Sequence, residues 1–198
     1  MASIGITGSI GSGKTTFRNL LAARVDADVF DADLVAGDLL ENDQNVRRRV
    51  ADEISSSAYG SDGKADRALI RQVVFGDPDA KSRLEKILHP LVRERWVARA
   101  ADPACLTRHF LVDIPLLFET AAQDHFRWII TVACSDDIQR KRLAARGLSP
   151  EMVDAIIDAQ LPPAQKIARS THVVWNDGCI EALSDQANFF AEWLANAR

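Results

Sequence analysis

The chain has only three cysteines, Cys105, Cys134 and Cys179, odd in number, widely spaced and without a C-x-x-C pair. That excludes a disulfide-stapled scaffold and a thiolate zinc site, and leaves three reduced thiols in a reducing compartment as the expectation. Long apolar runs are missing too. None approaches the ~20 residues needed to cross a bilayer, and the first residues enter a strand pattern directly, with no room for a signal peptide. A cytoplasmic protein with no membrane partner is expected. Positive charge is not in excess, since 24 Lys and Arg stand against 28 Asp and Glu, for a net charge of -4. A general nucleic-acid binder is normally basic, so no nucleic-acid partner is expected. Anionic small molecules must then be met by local clusters of Arg and Lys. His109, His125 and His172 form no ligand spacing with anything. Repeats, low-complexity runs and the N/T-K-x-D base-reading motif of nucleotide switches are absent as well. What remains is 198 residues, 47% hydrophobic and 26% charged, an ordinary balance for one domain with a sizeable core.

What is present begins at Gly8-Ser9-Ile10-Gly11-Ser12-Gly13-Lys14-Thr15, in register with G-x-x-x-x-G-K-[ST], the phosphate-binding P-loop. Ser3 to Thr7 reads as a buried strand before it, and Lys14 to Arg24 as a helix after it. Gly8, Gly11 and Gly13 permit backbone angles closed to other residues. A row of N–H groups, with those of Ser12 and Thr16 among the candidates, can then curl around an anion at the helix N-terminus. Lys14 would bridge the β- and γ-phosphates of ATP, and the Thr15 hydroxyl would ligate Mg²⁺.

Further strands are read at Asp28–Phe30, Phe110–Asp113, Trp128–Val132 and Val173–Trp175. Helical patterns cover Leu34 to about Ser55, Ala65–Phe75, and a stretch opened by Asp77-Pro78. Pro90 should break or kink that last one at His89 before it resumes to about Ala101. Asp136–Arg146, Pro150–Ala159, Pro163–Arg169 and Ile180–Asn196 complete the helices. Strands alternating with helices call for a three-layer α/β/α fold of P-loop NTPase type on a five-stranded parallel sheet. Residues 34–108 form a helical insertion suited to an acceptor, and 136–165 a helical lid over ATP. Two such insertions favour a small-molecule kinase over a signalling GTPase. The oligomeric state is bounded no further than a monomer or a small homo-oligomer.

Several segments together resemble the bacterial dephospho-coenzyme A kinases. They are Ile4 to Gly8 with Ile10 to Thr16, Phe30-Asp31-Ala32-Asp33, Asp66 to Leu69, Val74-Phe75, and Leu84 to Leu91 with its His89-Pro90. Asp113-Ile114-Pro115-Leu116-Leu117-Phe118-Glu119, Arg142 to Arg146, Gln160 and Asn176-Asp177-Gly178 follow in the same order. The resemblance implies transfer of the γ-phosphoryl of ATP to the ribose 3′-hydroxyl of dephospho-CoA, with dephospho-CoA and ATP as substrates and Mg²⁺ as cofactor. Another P-loop kinase, for a small hydroxyl or nucleoside monophosphate acceptor, would share the ATP apparatus.

Under that resemblance Asp33 orients or deprotonates the acceptor hydroxyl; otherwise it caps the following helix. Asp31 reads as structural. Asp113 is a Walker-B-like acid at a strand end that touches Mg²⁺, or else caps a strand before Pro115. Pro115, Leu117, Phe118 and Glu119 wall the acceptor site, or belong to the core. Arg142 and Arg146, four apart on a presumed lid helix, close on the β- and γ-phosphates with Arg142 catalytic, or are simply solvated. His89 belongs to the acceptor motif, or ends a kinked helix. Asn176 and Gly178 sit where the adenine is expected. Three departures from the family pattern stand out: Ser9 for the commoner Gly, Arg24-Val25-Asp26 for a Leu-Gly, and Ser170-Thr171 where Ala-Asp is usual. Ser9 is tolerable if its backbone is not left-handed, and Ser170-Thr171 leaves the adenine-side contacts open.

Overall fold

Five short apolar runs become the five strands of a single sheet. In a computed structural model that describes residues 3–103 and 107–197, these are β1 (Ser3–Gly8), β2 (Ala27–Asp31), β3 (His109–Asp113), β4 (Trp128–Ala133) and β5 (His172–Trp175), in the order β2-β3-β1-β4-β5. Cys105 lies outside the described residues. The central strand β1 runs parallel to β3 on one side, with Ile6 opposite Asp113, and to β4 on the other, with Gly8 opposite Val132. β5 pairs parallel with β4. Strands flanked on both sides are buried on both faces, which explains why β1, β3 and β4 lack polar alternation. The chain leaves β1 toward β2 and later crosses β1 to reach β4. The carboxyl ends of β1, β3 and β4 therefore frame the kind of crevice where open α/β sheets bind ligands.

Nine helices are described: α1 (Lys14–Ala22), α2 (Ala32–Asn42), α3 (Gln44–Glu53), α4 (Arg67–Gly76), α5 (Pro78–Ala100), α6 (Asp136–Ala144), α7 (Pro150–Asp158), α8 (Pro163–Ala168) and α9 (Ile180–Asn196). No described helix is long and apolar enough to cross a membrane. The chain divides into two compact units, residues 31–99 and the remainder. In the sheet unit, Phe17 and Leu21 of α1 and Leu183, Phe190 and Leu194 of α9 pack with Ile4, Ile6, Leu111 and Ile130 of the strands. Burying each such side chain contributes roughly 1.5–3 kcal/mol before chain entropy is charged. In the helical unit the buried side chains include Leu39, Val46, Val50, Ile70, Ile87 and Trp96.

Two helical expectations change. The stretch from Leu34 to Ser55 is two helices, because Asp43 is extended (φ -84, ψ 114), ends α2 and accepts from the N–H groups of Asn45 and Val46 to start α3. The helix opened by Asp77-Pro78 does not break at His89: α5 runs on through Pro90 to Ala100. A helical proline removes one backbone hydrogen bond, and the buried stripe of Ala80, Ile87, Leu88, Val92 and Trp96 continues on both sides of it. Between α3 and α4 the chain makes a tight turn, with the Gly60 N–H bonded to Lys64 O and Tyr59 bridged antiparallel to Ala65.

Candidate active site

The P-loop joins β1 to α1 at the carboxyl edge of the sheet. Gly13 is the N-cap of α1, left-handed at φ 90, and no side chain caps this helix. Helices α2, α3, α4 and α7 differ, since Asp31, Asp43, Asp66 and Ser149 accept from their first-turn N–H groups. An uncapped first turn keeps its donors and the positive end of its dipole for an anion. A Cβ on Gly13 would lie 2.1 Å from Asn176 Nδ2, so glycine is required there on two counts. Ser9 is not left-handed, Ala121 being the only non-glycine with positive φ among the described residues. The substitution at Ser9 is therefore tolerated for the reason expected.

The loop's carbonyls are held from behind. Gln139 Nε2 donates to Ile10 O at 2.7 Å, Arg142 Nη1 to Gly11 O and Ser12 O at 3.3 Å each, and Asn176 Nδ2 to Ser12 O at 2.7 Å. Gln160 Oε1 accepts from the Ile10 N–H at 3.1 Å. The Ser12 N–H closes on Ser9 O at 3.1 Å, and the bracing of the Ile10, Gly11 and Ser12 carbonyls leaves the loop's other amides as the candidates for an anion. Ser12 Oγ is buried within the loop and has no hydrogen-bond partner. An orphaned buried hydroxyl in a ring of amides fits a phosphate oxygen.

Lys14 opens α1, Thr15 and Thr16 follow exposed, and the Lys14 ammonium is bonded to Asp113 Oδ1. Asp113 ends β3 with 2% of its side chain exposed, and its Oδ2 accepts from Arg18 Nη1 at 3.1 Å. The donor set suits a magnesium ion carried mainly by a nucleotide's phosphates, which needs one or two protein oxygens rather than a cage. Thr15 and Asp113 would supply them, and no cluster of three or more His, Cys, Asp or Glu able to hold a metal exists among the described residues.

Arg142 and Arg146 separate. α6 ends at Ala144, the Arg146 N–H closes a last tight turn on Leu143 O, and Gly147 at φ 81 stops the helix. Arg146 thus lies past the helix end and exposed, whereas Arg142 reaches the P-loop. Beside Arg142, burial pushes the Cys134 thiol up, against the opposing pull of that guanidinium. Asn176 is buried, Gly178 exposed, and the carboxylate of Asp177 between them is lowered chiefly by the Ser135 N–H it accepts at 2.7 Å. Ser170 and Thr171 bind β4: Thr171 Oγ1 accepts from the Ile129 N–H at 2.8 Å, and Ser170 meets Thr131.

Within Pro115–Glu119 the structure assigns side chains to packing and bracing. Leu117 is fully buried above Gly5, whose Cβ would lie 2.7 Å from Leu117 Cδ1. Phe118, buried, has the Arg169 guanidinium over its ring at 4.6 Å. Pro115 O accepts from Thr7 Oγ1 at 3.0 Å and from Lys166 Nζ at 2.8 Å. The same Lys166, 0% exposed, pairs with Glu119 at 2.9 Å, and Glu119 Oε1 also accepts from the Leu161 N–H. In the helical unit, the cap of α2 is Asp31, whose carboxylate accepts from Leu34 N at 3.0 Å. Asp33 is therefore not the cap but an exposed residue of the first turn. His89 is half-buried on α5, and burial lowers its pKa, with Arg93 adding to the effect against Glu85.

Gln139, Arg18 and Lys166 escape the sequence reading. Gln139 precedes Arg142 by three positions, so helical spacing could have placed both over the P-loop. Lys166 has no comparable signal.

The family model described as dephospho-CoA kinase (CoaE) matches residues 2–182. The dephospho-CoA kinase of Cupriavidus pinatubonensis is 39% identical over 192 residues, covering 95% of this chain and 92% of the relative. Among solved structures, TT1252 from Thermus thermophilus superposes with a TM-score of 0.77 at 34% identity, covering 99% and 97% of the two chains. A dephospho-CoA kinase from Campylobacter jejuni superposes at 0.73 over 98% and 97%, and its 22% identity speaks for the fold alone. The chain belongs to the dephospho-CoA kinase family.

Proposed function

We propose that this chain transfers the γ-phosphoryl of ATP to the ribose 3′-hydroxyl of dephospho-CoA, releasing CoA and ADP. The observation that carries the reading is the braced P-loop, with its carbonyls held by Gln139, Arg142 and Asn176 in front of an uncapped helix. The nucleotide half follows from it. Amides of Gly8, Gly11, Gly13, Lys14, Thr15 and Thr16, with the Ser12 hydroxyl, take the phosphates; Lys14 bridges the β- and γ-groups, and Arg142 stabilises charge on the moving phosphoryl. Asn176 and Gly178 border the adenine, and Arg146 reaches the phosphates from the exposed end of the lid. Thr15 and Asp113 would hold Mg²⁺, which would supply charge neutralisation. In-line transfer also needs the hydroxyl oriented. Asp33 has that role, and its exposed place in the first turn of α2 supports it, since the capping duty falls to Asp31.

Residues 34–108 are assigned as the acceptor-binding subdomain, with His89 contributing to it, and 136–165 as the lid. Pro115, Leu117, Phe118 and Glu119 are also assigned to the acceptor, on a segment packed through Leu117 and Phe118 and held by Lys166. A cytoplasmic setting accords with the free thiols of Cys134 and Cys179. The test is to incubate the protein with MgATP and dephospho-CoA, with adenosine, AMP and shikimate as parallel acceptors. ADP release is expected with dephospho-CoA only. Lys14→Ala should abolish it with loss of ATP affinity, and Asp33→Asn should lower kcat by about 10²–10⁴-fold, the usual range for a positioned base, at unchanged ATP affinity. Faster ADP release with another acceptor would overturn the substrate.

A further inference from the structure

One helical turn beyond Lys14 stands a buried arginine that none of the roles above uses. Arg18 is 8% exposed and lies four residues after Lys14, on the same face of α1. Both cations meet one carboxylate: Lys14 takes Oδ1 of Asp113, and Arg18 Nη1 takes Oδ2 at 3.1 Å. The Arg18 Nε and Nη2 both donate to Asn19 Oδ1, at 3.2 and 3.1 Å, which fixes the plane of the guanidinium. A carboxylate as buried as Asp113 needs a counter-charge, and removing its partner is strongly unfavourable. Yet Lys14 is the ammonium that the β- and γ-phosphates require, and it cannot serve the carboxylate and the triphosphate fully at once.

We propose that Arg18 is a positioning residue for triphosphate binding, holding the charge of Asp113 so that Lys14 can leave it for the phosphates. The proposal rests on the P-loop reading of Lys14 given above. Arg18 occupies the other carboxylate oxygen, so its bond survives when Lys14 swings away. A guanidinium is permanently charged and weakly hydrated, which suits it to a buried pair. Without Arg18, Asp113 would depend on Lys14 alone and would compete with ATP for it. AMP, lacking the β- and γ-phosphates, would not sense the difference.

The test measures Kd for ATP and for AMP on the full chain in EDTA, so that no divalent ion draws on Asp113. Wild type, Arg18→Met, Arg18→Lys, Asp113→Asn and the Asp113→Asn/Arg18→Met double variant are compared. Arg18→Met should raise the ATP Kd about tenfold, a usual size for coupling between touching residues, and leave the AMP Kd unchanged. Arg18→Lys should recover most of the loss. In the Asp113→Asn background, adding Arg18→Met should change neither constant. An unaltered ATP-to-AMP ratio in Arg18→Met overturns the proposal. So does an equal ATP loss in both backgrounds, because Arg18 would then reach the phosphates itself or merely support the fold. Should Arg18→Met fail to fold, the two Asp113→Asn variants decide: a loss of ATP affinity on adding Arg18→Met to Asp113→Asn overturns the proposal, and unchanged affinity there supports it. A wild type that prefers ATP no more than AMP would sink the reading of Lys14 first, and this proposal with it.

Discussion

At the scale of single residues, Gly13 is where backbone and side-chain demands meet. Its φ of 90 is left-handed, and a methyl group would sit 2.1 Å from the Asn176 amide nitrogen, the atom that holds Ser12 O. Gly13→Ala should therefore lose ATP binding by dislodging Asn176, beyond the ~1–2 kcal/mol of left-handed strain in the fold. Titrating ATP into the variant, with circular dichroism to verify folding, checks this; wild-type affinity would mean that Asn176 does not brace the loop. The P-loop residues were legible in the sequence because the motif's backbone demand leaves a spacing of glycines. Asp31 and Asp33 were harder to sort. Both are acids at a strand-to-helix junction, and only the bond from Asp31 to the Leu34 N–H shows which one caps. Nothing in residue type could reveal the buried triad of Lys14, Asp113 and Arg18, whose members lie up to 99 positions apart.

At the scale of elements, the three inner strands were legible because burial on both faces leaves apolar runs of five or six residues in the sequence. Helix boundaries were less so. Asp43 splits one expected helix by satisfying two N–H groups, a capping signal visible beforehand only as Asn-Asp-Gln within a helical pattern. Pro90 is the opposite case: the helix continues through it without a break, since packing outweighs one lost backbone bond. The joint between α8 and the segment after β3 was invisible, because it depends on Lys166, a cation with no exposure at all. Its ammonium meets Pro115 O and Glu119, and Glu119 in turn holds Leu161 N. Lys166→Met should leave a partly buried carboxylate unpaired and cost about 3 kcal/mol, the lower end for broken buried pairs, because Glu119 keeps 22% exposure. In a chain of this size that corresponds to a fall of roughly 6–12 °C in Tm. Glu119→Gln in the same background should return part of the loss, and calorimetry of the single and double variants measures it. Additive losses would show that the two residues stabilise the fold separately.

At the scale of the whole molecule, His89, His109 and His172 are turned toward their neutral form. Burial is the largest cause of the lowered pKa at His89, His109 and His172. For His172 the surroundings are an aromatic cluster, with the Phe190 and Trp193 rings centred 4.9 and 4.3 Å away. The unfolded chain takes up these protons near pH 6.5, while the folded chain waits for a lower pH. Between the two, the unfolded state binds more protons, so stability rises with pH through that window and falls as pH drops below 6.5. A second decline follows at lower pH. The Asp77 carboxylate is held down chiefly by the Ala80 N–H, Asp177 by the Ser135 N–H and Glu53 by Arg49. Each contributes stability above its ordinary value that is lost as pH falls through the depressed one. Urea midpoints should therefore hold level near pH 7–8, decline in a first step from pH 6.5, and decline again below about pH 4.5 as the carboxylates protonate. His172→Phe keeps a ring in the cluster and removes one titrating group, so the first step should shrink while the second stays. An unchanged first step in that variant would assign the pH response to His89 and His109 alone. No step at all above pH 5 would mean that the three half-buried histidines accept protons as readily as exposed ones.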